Sequence, residues 1–108
     1  MKISDVLTGA DTWCQGHSAV DRDGVLCNFQ APEACRRCLH GAVYKVAYSD
    51  SNGLLSKVNL RIYELVDGLR TTCLRLYGEL DYINWQEEPG RTWEEVEALI
   101  RESEVVDD

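Results

Sequence analysis

A mostly α fold, a compact domain of four helices with one small β-hairpin, is what this sequence predicts, and three observations carry it. Residues 54–78 repeat apolar side chains at alternating spacings of three and four, the period of one helix face. Thr92-Trp-Glu-Glu95 is a capping box: the threonine hydroxyl accepts from the amide three residues on while Glu95 reaches back, so a helix starts there. Asp21-Arg-Asp-Gly24 stands between Ala19-Val20 and Val25-Leu26-Cys27, and Asp-Gly flanked by apolar residues is a short-range hairpin signal.

The elements follow in chain order. Ser4 precedes Asp5, Val6, Leu7 and Ala10, and Gly16 follows Trp13 and Cys14, which predicts a first helix over about 4–15 capped at both ends. The Asp21–Gly24 turn predicts a two-stranded ribbon or a tight loop. Pro32 suits the first turn of a second helix reaching about Tyr48. At ~100° per residue it would gather Cys35, Cys38, Leu39, Ala42, Val43 and Val46 on one face and Arg37, His40, Tyr44 and Tyr48 on the other. Ser49–Gly53 is a polar linker that ends it.

The third helix carries Leu55, Val58, Ile62, Leu65, Leu69, Thr72 and Leu76 as its core stripe, widened by Val66 and Cys73. It is the expected central scaffold. Gly68 inside it costs about 1 kcal/mol relative to alanine, which predicts a close helix crossing or a kink. Leu80–Trp85 reads as a short apolar connection and Glu87-Glu-Pro-Gly90 as a turn. The last helix buries Trp93, Val96, Leu99 and Ile100, and Glu104–Asp108 should fray.

At 108 residues and 12.2 kDa, 44% hydrophobic and 28% charged, the chain suffices for one core and is short for two. A single domain over 1–108 is expected. The first ten residues hold one lysine and no continuous apolar stretch, and no later run reaches the ~18 apolar residues of a membrane span, so a cytoplasmic protein is expected. Five cysteines form an odd set on a chain without an export signal, which favours reduced thiols.

Charge is partitioned along the chain. Residues 79–108 hold eleven acidic side chains against Arg91 and Arg101, a net of −9, while residues 1–78 sum to about +1. Between Arg36 and Arg75 the balance reverses, with seven basic residues against Asp50, Glu64 and Asp67. The overall charge of −8 argues against general nucleic-acid binding, which draws its affinity from counterion release onto clustered Lys and Arg. It favours a protein partner with a basic surface.

Cys14-x-x-His17 and Cys35-x-x-Cys38 stand seventeen residues apart, close to the spacing of a four-ligand zinc site. Against that, Cys35 and Cys38 fit the apolar stripe of the second helix, and Cys14 closes the first helix beside Trp13, as small hydrophobes. No cofactor and no metal are therefore expected, with a zinc- or thiol-dependent module as the alternative. Cys35-Arg-Arg-Cys38 has arginines that would lower a thiol pKa, yet no strand-helix-strand pattern surrounds it. No local cysteine-histidine pair is placed for nucleophilic catalysis, since Cys38 and His40 would fall on opposing helix faces, and no phosphate loop or nucleophile elbow is present.

Trp13-Cys-Gln-Gly16, the acidic-Gly turn, Cys38-Leu-His-Gly-Ala42, and Ile83-x-Trp85 followed by Pro89-Gly-Arg-Thr92, Val96 and Leu99 resemble a small bacterial and phage domain family of unknown function. The resemblance covers most of the chain; the third helix matches poorly, and Gln86-Glu87 follow the tryptophan where the family has Asn-Asp. It implies a mostly helical fold and a bacterial or mobile-element origin, and supplies no catalytic residues.

The expected function is that of a non-enzymatic interaction module, a phage or mobile-element protein that binds or inhibits a host protein such as a defence nuclease. Two surfaces are candidates. One is the acidic set Glu87, Glu88, Glu94, Glu97 and Glu102; the other is the outer stripe Arg37, His40, Tyr44 and Tyr48, residue types that recur as interface anchors.

Overall fold

A computed structural model describes residues 1–105. The chain is mostly helical, in the order α1 (Ile3–Val6), β1 (Ala19–Val20), β2 (Arg36–Arg37), α2 (Leu39–Asp50), α3 (Leu55–Tyr77), α4 (Tyr82–Gln86) and α5 (Trp93–Val105). Helix α3 occupies its predicted range. Its apolar stripe drives Val58, Leu69, Thr72 and Cys73 into the core, and Gly78, in the left-handed region at φ 73°, closes it by donating to the Leu74 carbonyl. Helices α2 and α5 pack on it, α1 wedges between those two, and α4 packs on both α2 and α3. One core results, built from Leu39, Val43 and Val46 of α2, Leu69 and Cys73 of α3, Trp85 of α4, and Val96 and Leu99 of α5. The radius of gyration, 13.1 Å, is that of a compact chain of this length. Among the described residues no helix is long and apolar enough to cross a membrane.

Among the described residues five helices stand where four are predicted, because the connection at Leu80–Trp85 contains α4. Asp81 caps it, its carboxylate accepting from the Asn84 amide at 3.0 Å. The first helix is only one turn long. The Thr12 hydroxyl accepts from the Thr8 and Gly9 amides at 3.0 and 3.2 Å, diverting the backbone from the helical ladder, and Cys14 N then donates to the Arg37 carbonyl at 3.1 Å.

The Asp21–Gly24 turn forms, with Asp21 Oδ1 accepting from the Asp23 and Val25 amides at 2.9 Å and Val20 bridging Leu26. The lasting partner of β1 is β2, antiparallel, with Ala19 opposite Arg37 and Val20 opposite Arg36. Residues 35–37 are therefore extended, and α2 starts at Leu39 rather than near Pro32. Cys38 is its N-cap, its Sγ accepting from the Gly41 amide at 3.4 Å. Strand pairing outcompeted a helical period that runs through Cys35 and Cys38 on paper.

Gly68, predicted at a close crossing or a kink, shows no close crossing: a Cβ there would meet nothing within 4 Å. The close approach falls at Gly41, where a Cβ would lie 1.9 Å from the Ser18 carbonyl oxygen. The capping box of α5 is present, with Thr92 N donating to Glu95 at 3.0 Å and Glu95 N to the Thr92 hydroxyl at 3.3 Å. Glu104, expected to fray, is still helical and accepts from the Ser4 amide at 2.9 Å. Residues 106–108 of the expected frayed end lie outside the described residues.

Candidate functional site

Where α2, α3 and the α3–α4 connection diverge, the fold leaves a cleft of about 500 Å³. His40 and Tyr44 wall it from α2, Ile62, Val66 and Arg70 from α3, and Glu79, Asp81, Tyr82 and Ile83 from the connection and α4. A buried polar clamp fixes these walls. The fully buried Gln86 side chain accepts at Oε1 from the Leu39 amide at 2.8 Å and from Trp13 Nε1 at 3.3 Å, which locks the end of α4 to the start of α2. Gln15 Nε2 adds bonds to the Gln86 and Glu88 carbonyls. On the far side, Tyr77 stacks on Trp85 at 4.8 Å and the Arg91 guanidinium covers that indole at 4.1 Å. The Arg91 side chain also donates to the Trp85 carbonyl at 2.9 Å and pairs with Glu95 at 2.9 Å.

His40 and Tyr82 line the cleft, and among the described residues His40 Nδ1 and Tyr82 Oη, themselves buried, have no hydrogen-bond partner. Burial pushes the His40 imidazole below its ordinary 6.5, so it is neutral at pH 7. Burial likewise pushes the Tyr82 phenol well above its ordinary value, so it keeps its proton. A neutral imidazole and a phenol can each donate or accept one hydrogen bond, and leaving such groups unmade costs about 1–3 kcal/mol apiece. The largely apolar walls of the cleft suit an apolar guest.

Of the predicted outer stripe, His40 and Tyr44 reach this cleft, their rings 4.6 Å apart. Tyr44 and Tyr48 are also covered by Phe29, at 5.5 and 5.6 Å. Arg37 belongs to β2, is half-buried, and donates from Nε to the Phe29 carbonyl at 2.9 Å, so it braces a loop rather than extending a helix face.

The residues of the acidic set have different local partners. Glu87 is half-buried and accepts from the Gly16 amide at 2.7 Å. Glu97 pairs with Arg101 at 3.6 Å, and Glu102 lies toward α3, 3.5 Å from Arg75. Glu88 and Glu94 are exposed.

Among the described residues no group of three or more His, Cys, Asp or Glu side chains is arranged to hold a metal. Of the alternative set, Cys14 Sγ points to the His17 carbonyl at 3.4 Å, Cys35 is exposed before β2, and Cys38 is buried at the α2 cap. Burial, with Cys38 and Glu87 nearby, pushes the Cys14 thiol up to about 11, and burial does the same for Cys73, so both are protonated at neutral pH.

The residues that sequence reasoning missed are Ile62, Val66, Arg70, Glu79, Asp81, Tyr82 and Ile83. The signal was Asp81 as a cap before Tyr82-Ile-Asn-Trp85, which marks a short helix where a linker was expected.

No curated protein and no solved structure matches this chain. The sequence model of a family of unknown function, DUF6197, matches residues 2–104, and the chain belongs to that family.

Proposed function

We propose that this chain is a non-enzymatic protein-interaction module whose α2–α3–α4 cleft seats an apolar side chain from a basic segment of its partner. The observation that carries the reading is the cleft itself, largely apolar in its walls and lined by His40 and Tyr82, whose buried polar atoms have no partner among the described residues. Its rim favours a cationic flank: Glu79 and Asp81 stand against Arg70, and the exposed Glu88 and Glu94 extend the negative potential along the following elements. Such charges speed encounter with a basic surface and are screened by salt. The family resemblance and the acidic charge support a further step, that the chain comes from a phage or mobile element and occupies the basic groove of a host nucleic-acid-binding protein.

The test is selection of random peptides on the immobilised full-length chain, followed by titration of the winners. Enriched peptides should pair a large apolar residue with neighbouring Lys or Arg. Val66→Arg, which fills the cleft, should abolish their binding, Tyr82→Phe should weaken it several-fold, and Glu79→Lys with Asp81→Lys should slow association mainly at low salt. Peptides without basic residues, or affinities indifferent to Val66→Arg, would refute the reading.

A further inference from the structure

The solvent face of α3 carries a second, hidden repeat. Leu60, Tyr63, Asp67, Arg70, Leu74 and Tyr77 follow one another at spacings of three, four, three, four and three, the spacing of a coiled-coil seam. At ~100° per residue these six fall within about 100° of arc, centred about 120° round the helix from the buried Val58, Leu69 and Cys73. The apolar members are open to solvent: Leu60 is 62%, Tyr63 72% and Leu74 49% exposed, and Tyr77, one face of which stacks on Trp85, is 41% exposed. None of the ion pairs among the described residues includes Asp67 or Arg70. Apolar residues at both ends and opposite charges in the middle make an unusual seam for a helix that faces water.

The pattern is self-complementary when reversed. Laying a second α3 antiparallel over the first, with the two-fold axis between residues 68 and 69, sets Leu60 against Tyr77, Tyr63 against Leu74, and Asp67 against Arg70 of the other copy. Every layer then pairs favourably, apolar with apolar and anion with cation, and each occurs twice by symmetry. A parallel alignment in register opposes Asp67 to Asp67 and Arg70 to Arg70. Shifting the antiparallel pair by one heptad sets charged residues against apolar ones. Central charges that fix orientation and register, at some cost in stability, are an established device of coiled coils.

We propose that the partner of this face is a second copy of the same chain, docked as an antiparallel α3–α3 pair about that two-fold axis. The contact spans ~26 Å of helix, since seventeen residues rise 1.5 Å each. An isologous contact of this kind closes on itself and yields a dimer rather than a filament. Its modest length places it at the low end of specific interfaces, where self-association is weak and concentration-dependent. The pairing is independent of the cleft's role. Arg70 borders both surfaces, so each α3 would run beside the mouth of its partner's cleft.

The test uses sedimentation of the full chain over a concentration series, with two charge variants measured alone and mixed. The unaltered chain should shift from monomer to dimer with rising concentration. Asp67→Arg alone opposes arginine to arginine, and Arg70→Asp alone opposes aspartate to aspartate, so each should weaken self-association on the order of tenfold or more. An equimolar mixture of the two variants should recover dimers within a few-fold of the unaltered affinity, because both cross pairs become Arg–Asp again. That recovery cannot come from a change within one chain. Should either charge variant lose its helical signal, Tyr63→Ser at the most exposed seam position decides instead: loss of dimer supports the pairing, retention overturns it. A monomer throughout the series, or single variants that dimerise as well as the mixture, would overturn the proposal.

Discussion

Replacing Gly41 by alanine should destabilise this protein even though alanine is the better helix former. Helix propensity alone favours the change by about 1 kcal/mol. The structure opposes it, because the new Cβ would lie 1.9 Å from the Ser18 carbonyl oxygen and 2.9 Å from its carbon. An unstrained carbon–oxygen contact needs about 3.3 Å, so one wall must retreat by about 1.4 Å. Neither wall is free to do so. The same Ser18 oxygen accepts from the Cys38 amide at 3.4 Å, and the next residue, Ala19, is paired with Arg37 in the β1–β2 ladder. Overpacking of about 1–3 kcal/mol, together with one or two weakened hydrogen bonds at about 1 kcal/mol each, outweighs the propensity gain and leaves a net loss of about 1–4 kcal/mol. At about 4–8 °C per kcal/mol for a chain this size, the melting midpoint should fall by roughly 5–30 °C. Thermal and urea unfolding followed by circular dichroism measure it directly. A Gly41→Ala protein that melts at or above the unaltered chain would show that α2 and β1 do not meet as described.

The opposite sign is expected at Gly68→Ala, where a Cβ meets nothing within 4 Å; unfolding should show a gain of about 0.5–1 kcal/mol. Trp85→Ala removes an indole that is 4% exposed, together with its contacts to Tyr77 and Arg91, and should cost about 3–5 kcal/mol by urea denaturation. Because burial holds the His40 imidazole below 6.5, the unfolded chain takes up that proton first as the medium becomes acidic. Stability is thus unaffected by this group above its ordinary value and is lost as pH falls from 6.5 toward the folded value. His40→Gln should flatten that part of the stability-against-pH curve.

The sequence revealed whichever parts of the fold are decided locally. The Gly78 stop and the Thr92–Glu95 box depend on residues within a turn or two of one another and stand where capping places them; the α3 period located the helix and buries Val58, Leu69, Thr72 and Cys73, but Leu55 and Leu76 of the expected stripe are exposed. The departures share a cause in long-range contacts. Residues 35–37 were drawn out of a helical reading by β1, some sixteen or more positions earlier in the chain, and the first helix was cut short by Thr12 and by the bridge from Trp13 to Arg37. Half of the cleft was legible, since His40 and Tyr44 were singled out on α2. Its other wall was hidden because Leu80–Trp85 looked like a linker, and because Ile62 and Val66 read as core until their solvent side was known. The acidic charge was visible at once, but the division of Glu87, Glu97 and Glu102 among separate local partners depends on three-dimensional neighbours.

Gln86 bears on how the molecule opens. Amides in the first turn of a helix have no partner within that helix and are ordinarily among the first to exchange with solvent deuterium. Leu39 occupies that position in α2, yet its amide is buried against the Gln86 amide oxygen, contributed from 47 residues along the chain. Fraying of α2 cannot expose it. Releasing that hydrogen requires α4 to leave α2, which also frees the Trp13 indole, so exchange at this terminal amide reports rupture of the whole assembly rather than breathing of one helix end.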